Sequence, residues 1–247
     1  MILLATRPVP AKSARQQWQP LTAGNKWSYS VAREARVVGG PEGPQSVKRT
    51  GTATTEILGP SKLFRGPDPV FEIVTTNKEQ ADRGPGRATT ETKHIAERVG
   101  GLYLHGQLVV GAPGVSTNLE TYNPPLHLLL LPETAGAKWP VGESRQGPMR
   151  LALRGEVVGF ENVSTPTSTY AHCLKVRYTA TVTGALPSAT SARPITKGTM
   201  EIVDWYASGV GLVKETTQSR IQYRGAKNAI LTSTQSTTRM LTKAEVK

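Results

Sequence analysis

The sequence of 247 residues has little of several features that would define a function class. Its one cysteine, Cys173, excludes an internal disulfide. No run approaches the roughly 18 apolar residues of a transmembrane helix, and Leu126–Leu131, the longest, is interrupted by His127. Aromatic residues are 6% of the chain, too few to predict stacking platforms for nucleic-acid bases. We therefore predict no transmembrane segment, and nucleic acid is a disfavoured partner.

Sequence motifs for catalysis or metal binding are also absent. No Gly-x-Ser-x-Gly or Walker sequence occurs, and the histidines do not have zinc-site spacing. The neighbours His172 and Cys173 should point to opposite faces of a strand, so they cannot form a thiolate–imidazole pair. The odd separation of Glu156 and Glu161 should likewise place them on opposite faces, which excludes a glycosidase-like acid pair. We predict no catalytic residue, no metal, no cofactor and no enzymatic activity.

Charge is unbalanced but not clustered. The formal net charge is +12, yet the excess is spread over both halves of the chain and no block of five or six like charges appears. This distribution is typical of a solvated strand face rather than a dedicated polyanion site. It favours loose association with an anionic lipid surface or a cell-wall polymer.

What the sequence has in abundance is the pattern of antiparallel strands. The stretch Asp204–Glu215 predicts a hairpin, because Met200, Ile202, Asp204 and Tyr206 alternate with their neighbours before a corner containing Gly209 and Gly211. Further alternating segments, separated by turn residues, are predicted as strands: 26–38, 47–58, 69–76, 88–99, 102–110, 126–131, 149–163, 168–183, 199–207, 212–223 and 229–241. Residues 111–125, 132–147 and 184–196 are predicted as mainly connecting segments.

These elements predict an all-β fold with little helix, built as a curved antiparallel sheet or half-open barrel. Residues 18–247 are predicted to form a single domain, and residues 1–17 a flexible, basic N-terminal arm. The apolar start Met1–Ala5 is too short for a signal-peptide core, so no export signal is visible in the chain.

A faint internal repeat links two parts of the chain. Pro20–Trp27 resembles Leu131–Trp139, since each places a glycine corner three residues before a tryptophan. The repeat predicts two related half-sheets, although similar turn chemistry would also explain so short a match.

Three segments carry a resemblance to a known family. They are Gly24-Asn25-Lys26-Trp27-Ser28-Tyr29, the stretch from Gly155 to Val176, and Trp205-Tyr206-Ala207-Ser208-Gly209-Val210-Gly211-Leu212-Val213-Lys214-Glu215. Together they resemble uncharacterised bacterial secreted or lipid-anchored β-proteins with a Gly-Asn-x-Trp-x-Tyr opening and a Trp-Tyr-Ala-x-Gly-Val-Gly-Leu-Val-Lys close. The middle segment departs from the family's Pro-Ala-Gly-x-Phe, retaining Pro166 and the aromatic Tyr170.

This resemblance implies an architecture similar to the periplasmic lipoprotein carriers and a location in the periplasm, the cell envelope or outside the cell. The chain has no lipobox cysteine near its start, so the resemblance does not extend to lipid anchoring. The family's own activity is not established.

The large aromatic residues of the recognisable segments are the candidate ligand-binding residues: Trp27, Tyr29, Trp139, Trp205 and Tyr206. They suit either the sheet core or the wall of an apolar cavity. Asp204 is a candidate functional acid, although an aspartate beside a sheet edge more often bonds to backbone or to an arginine.

Two functions lead on these patterns, ahead of a hydrolase with an unrecognised site around Asp204 and of nucleic-acid binding. The first is a non-enzymatic envelope protein that holds an apolar ligand, such as a lipid or lipoprotein tail, or a protein partner on a concave sheet. The second is a structural subunit of an envelope or extracellular assembly, in which edge strands and the N-terminal arm dock onto neighbours.

Overall fold

The computed structural model describes residues 17–64, 66–111, 117–186, 193–225 and 228–247. In these ranges every regular element is a β-strand, and no helix long and apolar enough to cross a membrane is found. The predicted arm falls on residues 1–16, outside the described ranges, and on Gln17. The strands are β1 (Lys26–Val38), β2 (Gln45–Pro60), β3 (Val70–Ala81), β4 (Arg87–Arg98), β5 (Gly101–Val110), β6 (Glu120–Leu130), β7 (Lys138–Gln146), β8 (Met149–Ser164), β9 (Thr169–Leu186), β10 (Arg193–Ala207), β11 (Gly211–Arg224) and β12 (Ile230–Glu245).

The strands form one antiparallel sheet of twelve, in the order β6-β5-β4-β3-β2-β1-β12-β11-β10-β9-β8-β7. The chain ends join in its middle, where β1 pairs with β12 from Lys26↔Glu245 to Val38↔Thr232. The edge strands β6 and β7 approach each other along a seam bridged by side chains. Trp139 Nε1 donates to the carbonyl oxygen of His127 at 2.7 Å, and the hydroxyls of Tyr122 and Ser144 lie 3.1 Å apart. The predicted half-open barrel is therefore confirmed as a nearly closed one.

Strand alternation sends apolar side chains inward at one end of this barrel. Along β1, Trp27, Tyr29 and Val31 are buried, and Arg33 follows on the same face. Around the barrel, Ile57, Leu129 and their neighbours join Trp27 in one packed cluster. We call its inward-facing aliphatic and tryptophan side chains, which include Trp27, Ile57, Leu129 and Trp139, the apolar end. Trp18 lies over it, 6.1 Å from the Phe160 ring centroid, and donates its indole N–H to Glu133.

The two half-barrels, β1–β6 and β7–β12, repeat one local geometry. Gly24 and Gly136 both adopt positive φ, and their amides donate to Ile57 and Val157 respectively. Two residues beyond these acceptors, Gly59 and Gly159 mark register shifts in the pairing of β2 with β3 and of β8 with β9. The half-sheets expected from the sequence repeat thus share a corner, a tryptophan strand and a bulge.

Three predicted connections contain strand. Strand β7 occupies Lys138–Gln146, where a connection was predicted; Pro140 and Gly142 weakened its pattern, and a register shift lies between them. Strand β6 begins at Glu120, before Asn123-Pro124-Pro125, since an edge strand tolerates proline. Strand β9 reaches Leu186 and β10 starts at Arg193, so the predicted loop shortens to residues 187–192, which lie outside the described ranges.

The prediction that Glu156 and Glu161 lie on opposite faces of their strand was also wrong. Glu156 binds Arg177 at 2.6 Å, and Glu161 binds Lys175 at 3.1 Å. Arg177 and Lys175 are two residues apart on β9 and share a face, so the two glutamates do as well. The cause is the bulge at Gly159, where φ is 143° and one residue drops out of the pairing.

Candidate functional site

Next to the apolar end, strand alternation places polar side chains inside the barrel. Asp204, Glu215 and Arg239 are adjacent across β10, β11 and β12, and Lys93 faces them from β4. They form a continuous layer with the phenols of three tyrosines. We call this layer the polar belt; it consists of Tyr29, Glu91, Lys93, Tyr178, Asp204, Tyr206, Glu215 and Arg239.

Asp204 lies at the centre of the polar belt and is 8% exposed. Its Oδ2 accepts a hydrogen bond from the Tyr206 hydroxyl at 2.9 Å, while its Oδ1 is buried without a hydrogen-bond partner among the described residues. Burial, followed by the neighbouring charge of Glu215, raises the pKa of Asp204 to about 7. Asp204 is therefore a carboxyl group that titrates near neutral pH.

Arg239 connects several strands of the barrel interior. Its guanidinium lies 3.7 Å from Glu215 Oε2 and donates to Asn77 Oδ1 on β3 at 3.3 Å. It also lies 5.7 Å from the centroid of the Tyr29 ring. The Tyr29 hydroxyl donates to the carbonyl oxygen of Leu212 at 3.1 Å. These contacts hold the guanidinium in place beside the acid pair.

Lys93 shows that the polar belt borders open space. Its side chain points into the barrel from the same face of the sheet as the buried Ile73, and 38% of it is solvent-accessible. Glu91 lies 3.3 Å from Lys93 Nζ and raises its pKa, and Gln107 donates to Glu91 at 2.8 Å. Accessible surface on an inward-facing side chain means that the barrel interior has space for water at this position. We call this space the lumen.

A second charged cluster follows farther from the apolar end. Glu79 is almost fully buried and forms ion pairs with Arg33 at 3.0 Å and Arg87 at 2.9 Å. Burial raises the pKa of Glu79, and Arg49 and Arg239 oppose the rise. Since two arginines bind one carboxylate, this cluster carries one excess positive charge.

The belt tyrosines remain protonated at physiological pH. Burial raises the pKa of Tyr29, Tyr178 and Tyr206, and the nearby carboxyl of Asp204 raises each further. The Tyr178 hydroxyl donates to the carbonyl oxygen of Leu128 on β6 at 2.8 Å. The phenols therefore act as hydrogen-bond donors and not as bases.

The five aromatic residues predicted as ligand contacts separate into three places. Trp27 and Trp139 lie in the apolar end, where they are 1% and 6% exposed. Tyr29 and Tyr206 belong to the polar belt. Trp205 has the opposite parity in β10 and lies on the outer face, where its ring is 5.2 Å from Lys175 Nζ and 4.6 Å from Lys214 Nζ. Of this set, only Tyr206 is both inward-facing and partly exposed, so it is the one that can border the lumen.

Sequence reasoning found Asp204 but missed its surroundings. Glu215 was within reach, because the hairpin register places it opposite Asp204 on the same face. Lys93 and Glu91 were not, because they meet Asp204 across the barrel and no local pattern reports barrel closure. Arg239 occupied an ordinary alternating position in the last strand.

The remaining reactive side chains are placed elsewhere. Cys173 is fully buried, and burial raises the pKa of its thiol, as suits a small core residue. The His172 ring stacks on Phe160 with centroids 4.4 Å apart. Within the described ranges, no group of three or more His, Cys, Asp or Glu side chains is arranged to hold a metal ion.

The outer face carries a separate concavity. A groove of about 980 Å³ crosses the middle of β7–β12 and β1. Outward-pointing threonine, serine, glutamine and charged side chains line it, including Glu143, Arg154 and Glu201. Most of these side chains are exposed, which is typical of a solvated sheet surface, whereas the polar belt is enclosed.

Comparison with known proteins does not identify the chain. No protein-family model matches it, and no curated protein matches it. Among solved structures it is similar to DynF from the dynemicin biosynthesis pathway of Micromonospora chersina, with 9% identity over 96% of this chain and 92% of that one. The TM-score of 0.29 is too low for this likeness to carry an argument about function.

Proposed function

We propose that this chain is a non-enzymatic binding protein of the cell envelope that encloses a small amphipathic ligand inside its barrel. The observation that supports the proposal is the 38% accessible surface of the inward-facing Lys93 side chain, because it indicates interior space bordered by the groups of the polar belt. Ligand sites of this kind combine an apolar wall with a few converging polar groups.

The lumen has both of these linings. Leu153, Tyr178 and Ile202 face inward from β8, β9 and β10. The side chains of Leu153 and Ile202 are only partly buried. The charged groups of the polar belt lie on β4, β11 and β12. An apolar ligand body would lie on the first wall, and its polar group would face the second.

The predicted aromatic contacts take different parts in this proposal. Trp27 and Trp139 are packed too closely to touch a ligand along their rings, so they would form the floor beneath it. Tyr29, which is 3% exposed, would belong to the same floor, and the partly buried Tyr206 would contact the ligand directly. The lipid or acyl chain expected from the sequence would thus enter with a polar group attached.

The envelope location is supported by the resemblance of the Trp27 and Trp205 segments to secreted and lipid-anchored β-proteins. The net charge of +12 favours the anionic surfaces found there. Fractionation of the producing cells tests the location: the protein should appear in the periplasmic, envelope or extracellular fraction. Recovery with cytoplasmic marker enzymes would refute it.

Extraction of the purified protein tests the binding function. Organic extracts of native protein, analysed by mass spectrometry, should contain a small molecule that a mock purification lacks. The variant Leu153→Trp fills the lumen from its apolar wall and should remove the molecule. The adjacent variant Ala152→Trp, which points into the outer groove, should retain it. Loss in Ala152→Trp alone would place the ligand outside the barrel.

A further inference from the structure

Asp204 is the one carboxyl group of the polar belt that lacks a cationic partner within 4 Å among the described residues. Glu91 is bound by Lys93, and Glu215 is bound by Arg239. Within the part of the chain that the structure describes, Asp204 has only the Tyr206 hydroxyl on Oδ2, and its buried Oδ1 has no hydrogen-bond partner. An unmatched buried carboxyl oxygen is costly, so the site requires either a proton or an incoming donor.

The charge balance of the polar belt leads to the same requirement. Its carboxyl groups are Glu91, Asp204 and Glu215, whereas its cationic groups are Lys93 and Arg239. With Asp204 ionised, the polar belt carries one uncompensated negative charge. The Arg33–Glu79–Arg87 cluster in the next layer carries one excess positive charge, but both of its arginines bind Glu79 and, among the described residues, neither forms an ion pair with Asp204.

Every strand packed around Asp204 contributes to its environment. Glu215 is the like charge nearest to it, and Lys93 and Arg239 are the cations that face it. The other titratable neighbours are phenols, which keep their protons. The groups are Tyr206 on β10, Glu215 on β11, Arg239 on β12, Tyr178 on β9, Lys93 on β4 and Tyr29 on β1.

We infer that the ligand is an amphipathic amine whose ammonium group donates a hydrogen bond to Asp204 and whose apolar body lies against Leu153 and Ile202. This inference rests on the proposed function and names the ligand class for the same lumen. Because Oδ1 has no solvent contact, the nitrogen reaches it through a rotamer change. Lys93, with 38% of its side chain accessible, is the neighbour with room to move.

Proton and amine compete for the same carboxylate. An alkylammonium group, like lysine, stays charged below about pH 10, so pH acts on Asp204 and not on the ligand. Affinity for the amine should rise with pH and level off above the pKa of Asp204, about 7. A ligand that carries a carboxylate should show the opposite trend, because ionised Asp204 would repel it.

Calorimetric titration with matched eight-carbon probes tests the inference. Octylamine, 1-octanol and octanoate share an apolar body and differ only in the polar group. We expect octylamine to bind most tightly at pH 8 and about tenfold or more weakly at pH 5.5, since each pH unit below the pKa changes the ionised fraction up to tenfold. Asp204→Asn should abolish both the preference and the pH dependence, whereas the outer-face control Glu143→Gln should change neither.

A second variant, Tyr206→Phe, keeps the inference testable if Asp204→Asn does not fold. Tyr206→Phe removes the phenol that stabilises the ionised form of Asp204, so the midpoint of octylamine binding should move to higher pH. An unchanged midpoint would refute the assignment of the titrating group.

The outcomes separate the two proposals. If octanoate or octanol binds best, or octylamine binding does not depend on pH, the amine inference is wrong. Binding of any probe that Leu153→Trp blocks would still support a lumen ligand. If no probe binds and native protein yields no extractable molecule, the proposed function fails as well.

Discussion

The half-barrels β1–β6 and β7–β12 meet at two junctions that are built differently. Strands β12 and β1 pair along their whole length through main-chain hydrogen bonds. Strands β6 and β7 instead meet through side chains, with the Trp139 indole donating to His127 and the Tyr122 hydroxyl beside Ser144. A repeated framework therefore closes firmly on one side and leaves a weaker seam on the other.

The two half-barrels also differ at one inward-facing cross-strand residue pair. Counted from the glycine turn, the fourth pair of the β4–β5 hairpin is Ile95↔Leu104, and the fourth pair of the β10–β11 hairpin is Asp204↔Glu215. The first pair completes the apolar end, whereas the second forms the acid pair of the polar belt. Corresponding pairs of the two hairpins therefore hold packing side chains in one half and ionisable side chains in the other.

Removing the tryptophan next to each junction should produce the largest effect. Trp27→Ala leaves a cavity at the firmly paired junction and should lower the free energy of unfolding by about 3–5 kcal/mol. Trp139→Ala should cost less, because the seam has no ladder to hold the cavity open and can collapse into it. Urea denaturation of both variants measures the difference. An equal or larger loss for Trp139→Ala would contradict the distinction between the junctions.

The Asp204–Glu215 pair should make the free energy of unfolding depend on pH. The pKa of Asp204 is about 7 in the folded protein and 3.8 as the ordinary value, so the unfolded chain loses this proton first. The free energy of unfolding should therefore fall as the pH rises from about 4 to about 7. The decrease is a few kcal/mol at most, since one pKa unit corresponds to about 1.4 kcal/mol.

Asp204→Asn isolates this contribution. Denaturation across pH should show the variant more stable than the parent at pH 8 and close to it at pH 4, because the amide never ionises. Glu143→Gln, on the exposed outer face, is the control and should follow the parent curve. If Asp204→Asn is destabilised equally at both pH values, Asp204 does not titrate as the structure indicates.

Sequence patterns predicted the framework better than the site. Alternation and glycine corners are local, and they gave the β10–β11 hairpin and all thirteen residues of β1. Strand β7 was missed because a proline and a bulge at Gly142 interrupt its alternation. The polar belt was missed because Lys93 and Asp204 are brought together by closure of the sheet, which depends on the sum of the strand twists and on no single segment.

A smaller effect should distinguish the strands that face the two tryptophans. Gly155 lies opposite Trp139, and a Cβ added there would come within 2.3 Å of the indole, so Gly155→Ala should cost about 1–3 kcal/mol. Thr55 lies opposite Trp27 and has its hydroxyl 2.9 Å from that of Thr75, so Thr55→Ala should cost about 1 kcal/mol. Thermal unfolding compares the two. If alanine is tolerated at Gly155, the Trp139 indole does not lie over β8.

The smallest effect tests the seam itself. Hydrogen exchange measured by mass spectrometry should be faster in β6 and β7 than in β1 and β12, since only the second pair is protected by a ladder across its junction. Tyr122→Phe removes one side-chain contact across the seam and should accelerate exchange there while costing about 1 kcal/mol or less. The matched variant Thr242→Val removes a 3.0 Å bond to Ser28 across the other junction, where the main-chain ladder should keep exchange slow. Equal protection of the two junctions in the parent protein would mean that the seam closes in solution as firmly as the ladder.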